Sequence, residues 1–319
     1  RAMSLFVLTA GISVALLSRQ PGAGRRLAIR SGVLFLLSLG IDQLAGLNVS
    51  ILEYYSLWLL LLIPLLRLPV RTLFGAAAVS AVVLPLFSFI VMNYGQDWPI
   101  SPFSGRPEAT VGLRLLVTPA DWTAKLKSLL IGGGFQTPYA VPLLLAGLAV
   151  GRLDLQRVSV RRRLALAGAA LASLSWLVSY AVLQLFGVRG ALADMFSGTP
   201  PFQQPWGAVF ALPPEQLYAL SLTMGPFMFG SGLLLLSGLI SVLERPIMQA
   251  LLLPLTSAGR LALTWYAAHL VFLHAGSNTP PYPFSLFAGM VLTVLVVSPL
   301  WCRHFRRGPL EGLTHRAAQ

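Results

Sequence analysis

TLFGAAAVSAVVLPLFSFIVMN, from Thr72 to Asn93, carries no charge from end to end. A helix that crosses the hydrocarbon of a bilayer needs about 20 apolar residues, with ~17 as the lower limit. This stretch meets that length, and it is bounded by Arg67 and Arg71 on one side. Similar stretches lie at 2–18, 31–47, 51–66, 134–151, 164–187, 218–243, 261–275 and 285–301. The pattern predicts an all-α fold, a polytopic transmembrane helical bundle of about nine spans forming a single integral-membrane domain over residues 1–319.

Composition agrees. Of 319 residues, 56% are hydrophobic and only 10% charged, too little polar surface to coat a soluble globule of this size. The first stretch lacks a basic leader and a small-residue cleavage site, so it reads as a span and not as a signal peptide. The net charge of +13 would suggest nucleic acid in a soluble protein. Here most of it flanks apolar segments, where it orients the chain and attracts anionic headgroups, so no nucleic-acid partner is expected. The single cysteine, Cys302, excludes an internal disulfide, and no Cys/His spacing fits zinc, so no metal is expected. Arginine far outnumbers lysine, a bias that points to a GC-rich bacterial genome.

The basic residues sort by loop. Arg19, Arg25, Arg26 and Arg30, then Arg67 and Arg71, then Arg152, Arg157, Arg161, Arg162 and Arg163, then Arg245 and Arg260, and finally Arg303, Arg306, Arg307 and Arg316 fall on one side. Arg1, Arg106, Arg114, Lys125, Lys127 and Arg189 fall on the other. Positive residues stay inside, so the C-terminus is expected in the cytoplasm of a bacterial inner-membrane protein, with Arg1 outside. The chain starts with arginine instead of methionine, and one further helix upstream would make ten spans with an inside start. Asp42, Glu53, Asp97, Glu108, Asp121, Asp194 and Glu215 lie toward the outer side, which also carries the longer loops, 94–133 and 188–217. In the first loop, Thr118, Pro119 and Asp121 followed by Trp122, Leu126, Leu129 and Leu130 predict an interfacial helix. Pro246 to Gly259 is too short and proline-broken to span, and reads as an inner re-entrant or surface segment.

Chemistry must come from the few polar groups in the apolar layer. Asp42 sits inside the second span, where an ionised carboxylate is costly and marks a functional candidate or a structural pair. It lies five residues before Leu47, and His269 lies six before Ala275, so at the helical rise both sit about 8 to 9 Å below the outer surface. They are the candidate catalytic pair. Glu53 and Tyr54 open the third span, and Tyr266 and His274 share the helix of His269; these are candidate substrate-binding residues, with headgroup anchoring as the plain alternative. Ser257, Gly259 and Arg260 read as a helix start able to hold an anion, with Arg152 as a second arginine, although positive-inside anchoring also accounts for both. No phosphate-cradling loop, nucleophile elbow or His-Glu-x-x-His helix is present.

The stretch Pro254-Leu-Thr-Ser-Ala-Gly-Arg-Leu-Ala-Leu-Thr-Trp-Tyr-Ala-Ala-His269 resembles the signature helix of the YeiB-like bacterial membrane proteins, a domain-of-unknown-function family. Trp301 followed by Arg307-Gly-Pro-Leu-Glu311, the helix from Pro138 closing on Gly151-Arg-Leu-Asp-Leu155, and Ile51-Leu-Glu-Tyr-Tyr55 extend the resemblance over most of the chain. The chain departs from the family pattern at Gly312, where a tryptophan is usual, at Pro214-Glu215, where some relatives have Pro-His, and in lacking the early helix. The family is grouped with transmembrane acyltransferases related to heparan-α-glucosaminide N-acetyltransferase. The resemblance implies transfer of an acyl group from cytosolic acyl-CoA, a co-substrate and not a bound cofactor, to a cell-envelope glycan or lipid. In that scheme Arg260, with Arg152 as second choice, holds the donor's phosphates, His269 takes the acceptor's proton, Asp42 orients the imidazole, and Glu53 or Tyr266 positions the acceptor. The alternatives are a transporter or flippase with Asp42 and His269 as proton-coupling groups, and a non-catalytic assembly partner.

Overall fold

The computed structural model describes residues 2–45, 51–94, 122, 125–126, 129–130, 137–188, 206–212, 221–276 and 284–317. Among these, all regular structure is helical. The α-helices are α1 (Ala2–Leu17), α2 (Ala23–Ala45), α3 (Ile51–Leu62), α4 (Val70–Tyr94), α5 (Thr137–Val150), α6 (Val158–Leu185), α7 (Met224–Leu243), α8 (Pro246–Leu251), α9 (Leu253–Arg260), α10 (Ala262–Gly276), α11 (Phe284–His304) and α12 (Pro309–Ala317). Every expected apolar stretch contains a helix.

The ends differ in instructive ways. α2 and α6 begin several residues earlier than expected, because Arg25, Arg26 and Arg30, like Arg161, Arg162 and Arg163, ride on the helix. Arginine is a good helix former; Arg25, Arg162 and Arg163 are exposed to solvent, whereas the buried Arg161 donates to the carbonyls of Leu155 and Gln156. The third stretch is α-helical only to Leu62 and tightens into a 3₁₀ segment, Ile63–Arg67, where Pro64 offers no backbone N–H. Among the described residues, four helices are long and apolar enough to cross a membrane by themselves: Val70–Val91, Val158–Leu185, Met224–Leu243 and Phe284–His304. Within the last, only 6% of the apolar window is buried by protein, so Phe287, Leu292 and Val296 face outward from a helix that needs a hydrocarbon solvent. α1, α5 and α10 are apolar but shorter.

The chain forms two compact units, interleaved in sequence: Arg1–Ala23 with Leu61–Gly105 and Lys125–Leu239, and Gly24–Leu60 with Arg106–Ala124 and Ile240–Gln319. The first is built around α5, buried at every position but Val141 and packed between α1 and α4. Its contact with α1 is made by backbone. A Cβ on Gly147 would stand 2.3 Å from the Leu8 carbonyl oxygen, one on Gly11 would stand 2.4 Å from that of Leu144, and one on Gly151 would stand 2.6 Å from Ala15 Cβ. Gly168 of α6 and Gly230 of α7 meet in the same way, each Cβ position falling within 2.6 Å of the other's carbonyl oxygen. Such small-residue crossings let helices associate where lipid is as apolar as leucine and no hydrophobic force drives them together.

Three arginine-bearing loops gather at one end of this unit. Arg19 donates to the Gly151 carbonyl at 3.2 Å, and Arg152 donates to the Leu66 carbonyl at 2.5 Å and also to that of Leu68. The far ends of α4 and α6 close over an apolar cluster of Phe89, Leu183, Val188, Ala208 and Val209, sealed by Trp206, whose ring centroid lies 5.1 Å from that of Phe89. Within this unit the observed grouping matches the sorting of basic loops seen in the sequence. The longer loops, with Asp97, Glu108, Asp121, Asp194 and Glu215, and most of the expected interfacial helix lie outside the described residues.

Candidate functional site around α10

The second unit holds most of the residues singled out in the sequence, and α10 is its organiser. Its first turn should leave N–H groups open to an anion, and Ser257 to Arg260 were expected to supply that turn. The structure corrects this. Pro254, favourable in a first turn, starts α9 earlier, so Ser257, Gly259 and Arg260 close α9 instead of opening α10. Ser257 is buried, while Arg260 is exposed in the last turn of α9, where its charge complements the helix dipole.

The anion at the start of α10 is supplied by the protein itself. Glu311, on α12, accepts from the backbone N–H of Leu263 at 2.7 Å and of Thr264 at 3.1 Å through one oxygen, and from the Thr264 hydroxyl at 2.5 Å through the other. A carboxylate in this position satisfies donors that a helix start leaves open and meets the positive end of the dipole. Gly308 allows the approach: a Cβ there would lie 2.1 Å from a Glu311 carboxylate oxygen, 2.7 Å from Thr264 Oγ1 and 2.9 Å from Leu261 Cδ2. The Gly-Pro-Leu-Glu segment is therefore a strap that fastens the tail onto α10.

One residue further along, the Trp265 indole N–H donates to Ser298 Oγ of α11 at 2.8 Å, and that hydroxyl donates to the Val294 carbonyl at 2.5 Å. Next comes Tyr266, whose hydroxyl accepts from the Ile51 N–H at 2.9 Å. That bond joins the first turn of α3, which carries Glu53 and Tyr54, both buried, to the middle of α10. His269 is half-buried and meets Tyr266 edge-on, ring centroids 5.2 Å apart. Its Nδ1 lies 3.3 Å from the Trp265 carbonyl oxygen. A carbonyl only accepts, so this contact selects the tautomer with the proton on Nδ1 and leaves the Nε2 lone pair as the basic site. A backbone carbonyl orienting the ring is a feature that the sequence does not announce.

Asp42 lies on α2, but its side chain, like that of His274 on α10, is outside the described residues, and so is the expected meeting of Asp42 with His269. Arg152 belongs to the first unit and is occupied with the carbonyls of Leu66 and Leu68; burial lowers its guanidinium from the ordinary value. That engagement gives it a structural task, closing the end of α5 against the start of α4. Among the described residues no group of three or more His, Cys, Asp and Glu side chains is arranged to hold a metal.

No curated protein and no solved structure matches the chain. A family model does. It matches residues 152–319, which include α10, its strap and the hydrogen-bonded Trp265–Ser298 pair, and since this is more than half of its length the chain belongs to the family described as protein of unknown function, DUF418.

Proposed function

We propose that the chain is a multi-pass bacterial inner-membrane acyltransferase-like enzyme of about nine spans, C-terminus in the cytoplasm, which moves an acyl group from cytosolic acyl-CoA to a cell-envelope glycan or lipid. The observation that carries this reading is His269: its Nδ1 held by the Trp265 carbonyl, its Nε2 left basic, and its neighbour Tyr266 bonded to the turn that bears Glu53 and Tyr54. Nε2 takes the proton of the acceptor hydroxyl as its oxygen attacks the thioester carbonyl. When the tetrahedral intermediate collapses, the carbon–sulfur bond breaks and the imidazolium returns the proton to the departing thiolate, leaving an ester and free CoA. Tyr54, Tyr266 and Glu53 bind the acceptor, with His274 at the outer entrance, and exposed Arg260 meets the donor's phosphates.

Axial distances support a role for Asp42. Ser31 of α2 donates to the Ser56 carbonyl of α3 at 2.6 Å. From that level Asp42 is about 16 Å along α2 and Ile51 about 8 Å back along α3, while His269 follows Tyr266, the partner of Ile51, by about 4 to 5 Å. The backbone of Asp42 then lies within about 5 Å of the His269 level along the helix axes, close enough for an acid that steadies an imidazolium.

The test is transfer of labelled acyl groups by the purified protein in proteoliposomes, with acyl-CoA outside and envelope glycan and lipid extract as acceptor. Label in the acceptor, lost in His269→Ala, supports the reading. Full turnover in that variant removes His269 from the mechanism, and movement of an unmodified substrate without any acyl donor favours transport.

A further inference from the structure

Two short helices of the second unit, α8 and α9, are 6 and 8 residues long and each has a proline in its first turn, so neither can cross the hydrocarbon. Only Leu252 separates them, and the backbone bonds from Leu252 to Met248 and from Thr256 to Leu252, both 2.9 Å, carry the helical phase across the joint. Ile247, Leu251 and Leu255, four residues apart, therefore share one face, and they are 76, 67 and 59% exposed. Gln249, Thr256 and Arg260 fall on the opposite face. The buried Ser257 turns away from Leu251 and Leu255, and its carbonyl accepts from the Cys302 thiol at 3.9 Å, which fixes α9 beside the last turn of α11. The apolar stripe thus lies outward, level with the end of a helix whose outward side chains need a hydrocarbon solvent. Exposed arginines border it: Arg245 just before α8, and Arg303 and Arg306 at the end of α11. Glu244 is the one acid between residues 241 and 260, so this border is positive on balance.

We propose that α8 and α9 form an in-plane docking surface for anionic phospholipid in the leaflet at the C-terminal end of α11. Ile247, Leu251 and Leu255 dip below the headgroups, as the apolar face of an interfacial helix does to a depth of about 5 to 10 Å. Gln249, Thr256 and Arg260 stay on the water side, where Gln249 donates to the Leu243 carbonyl at 2.8 Å. Arg245 at one end and Arg303 with Arg306 beside the other hold the headgroup phosphates, since a guanidinium fork matches phosphate oxygens two at a time. Charge selects the occupant: a zwitterionic leaflet would meet the apolar stripe equally well but would leave the arginines without a net counter-charge. The inference rests on α11 crossing the bilayer and on no step of acyl transfer. It also gives the short segment between α7 and α10 a task, because a surface seated in one leaflet sets the depth at which α10 begins.

Two measurements on the full chain in nanodiscs test this. In the first, Cys302→Ser removes the single native thiol, and nitroxide labels are placed one at a time through Ile247→Cys, Leu251→Cys, Leu255→Cys, Gln249→Cys, Thr256→Cys and, on α11, Val296→Cys. Collisions with oxygen, which concentrates in hydrocarbon, are compared with collisions with a water-soluble nickel chelate. The oxygen-to-nickel ratio should be several times higher at 247, 251 and 255 than at 249 and 256, and highest at 296. A low ratio along the apolar stripe with a high one at 296 overturns the docking surface alone, and a low ratio at 296 overturns it together with the membrane-spanning reading of α11. Labels at 247, 251 and 255 shielded from both reagents would mean that a second protein surface covers the stripe, which also overturns the proposal. The second measurement keeps Cys302 and stands by itself where Cys302→Ser does not fold: photoreactive phosphatidylglycerol and phosphatidylcholine are mixed in equal amounts, and adducts are mapped to residues 245–260. The anionic lipid should dominate there, and Arg245→Gln and Arg303→Gln should each lower its preference about fivefold. Equal labelling by the two lipids, or a preference that neither variant changes, would refute the anionic occupant.

Discussion

Replacing Glu311 by alanine should unfasten the C-terminal helix without unfolding the rest of the chain. The carboxylate takes two backbone N–H groups and one hydroxyl at 2.7, 3.1 and 2.5 Å. Each hydrogen bond to a charged group contributes about 1.5 to 3 kcal/mol net, but the three share one side chain at a half-buried helix end where water can replace part of what is lost. A combined loss of about 2 to 4 kcal/mol follows, in line with one to two N-caps. At 1.4 kcal/mol per factor of ten, hydrogen exchange at Leu263, Thr264 and the amides of α12 should accelerate roughly 30- to 1000-fold. Glu311→Gln keeps an oxygen for the two N–H groups and forfeits the charge, so its acceleration should be about 5- to 30-fold, since neutral hydrogen bonds have roughly half the strength. The assay is exchange mass spectrometry in detergent micelles, with buried α5 as the internal control. Protection of α12 within twofold of wild type in Glu311→Ala would refute the strap.

Other consequences can be checked separately. Gly147→Val drives a side chain into the Leu8 backbone oxygen and should lower thermal stability by an amount at or above the about 1 to 3 kcal/mol usual for overpacking, whereas Gly32→Ala, where no atom lies within 4 Å of the new methyl group, should be neutral or stabilise by up to about 1 kcal/mol; equal melting shifts would contradict the backbone-to-backbone crossing. The Tyr139 hydroxyl is buried on α5 with no hydrogen-bond partner among the described atoms, so Tyr139→Phe should leave the melting temperature unchanged or raise it, and a clear loss would mean that the hydroxyl has an acceptor. Because His315 is held below its ordinary value, by burial first and then by Arg307, Arg26 and Arg30, the undocked tail binds more protons than the docked one at acid pH. Docking of α12 should then be intact above about pH 6.5, the ordinary imidazole value, and weaken as pH falls toward the lowered one. Exchange protection that is flat from neutral to mildly acid pH, or equally steep in His315→Asn, would count against it.

The helices were legible in the sequence because lipid demands long apolar runs, and each run at the expected place became a helix. Their ends were less so. Arg25, Arg26, Arg30 and Arg161 look like loop residues by charge, yet the helices carry them: Arg25 is exposed to solvent, and Arg161, although buried, donates to the carbonyls of Leu155 and Gln156. Ser257-Ala-Gly-Arg260 has the composition of a helix start, but Pro254 sets the actual start earlier, and the open N–H groups belong to Leu263 and Thr264. The partner of those groups lies far along the chain at Glu311, a pairing that no local periodicity reveals, although the Gly-Pro-Leu-Glu motif itself was visible. Counting helical rise from the outer end gave only an expected depth for Asp42 and His269; the bond from Ile51 to Tyr266 that joins the Glu53 turn to α10 was not read from the sequence. Nor was the orientation of His269 by the Trp265 carbonyl, because an i to i−4 side-chain contact depends on a rotamer and not on residue type.

The proposed chemistry stands or falls on what the envelope contains. Mass spectra of envelope glycans and lipids should be compared between a strain lacking this protein, the same strain complemented with the wild-type chain, and one complemented with His269→Ala. A general base contributes about 10² to 10⁴ in rate, so one species heavier by an acyl group should return with the wild type and be all but absent with the variant. Identical spectra in all three strains, or full restoration by His269→Ala, would contradict the account.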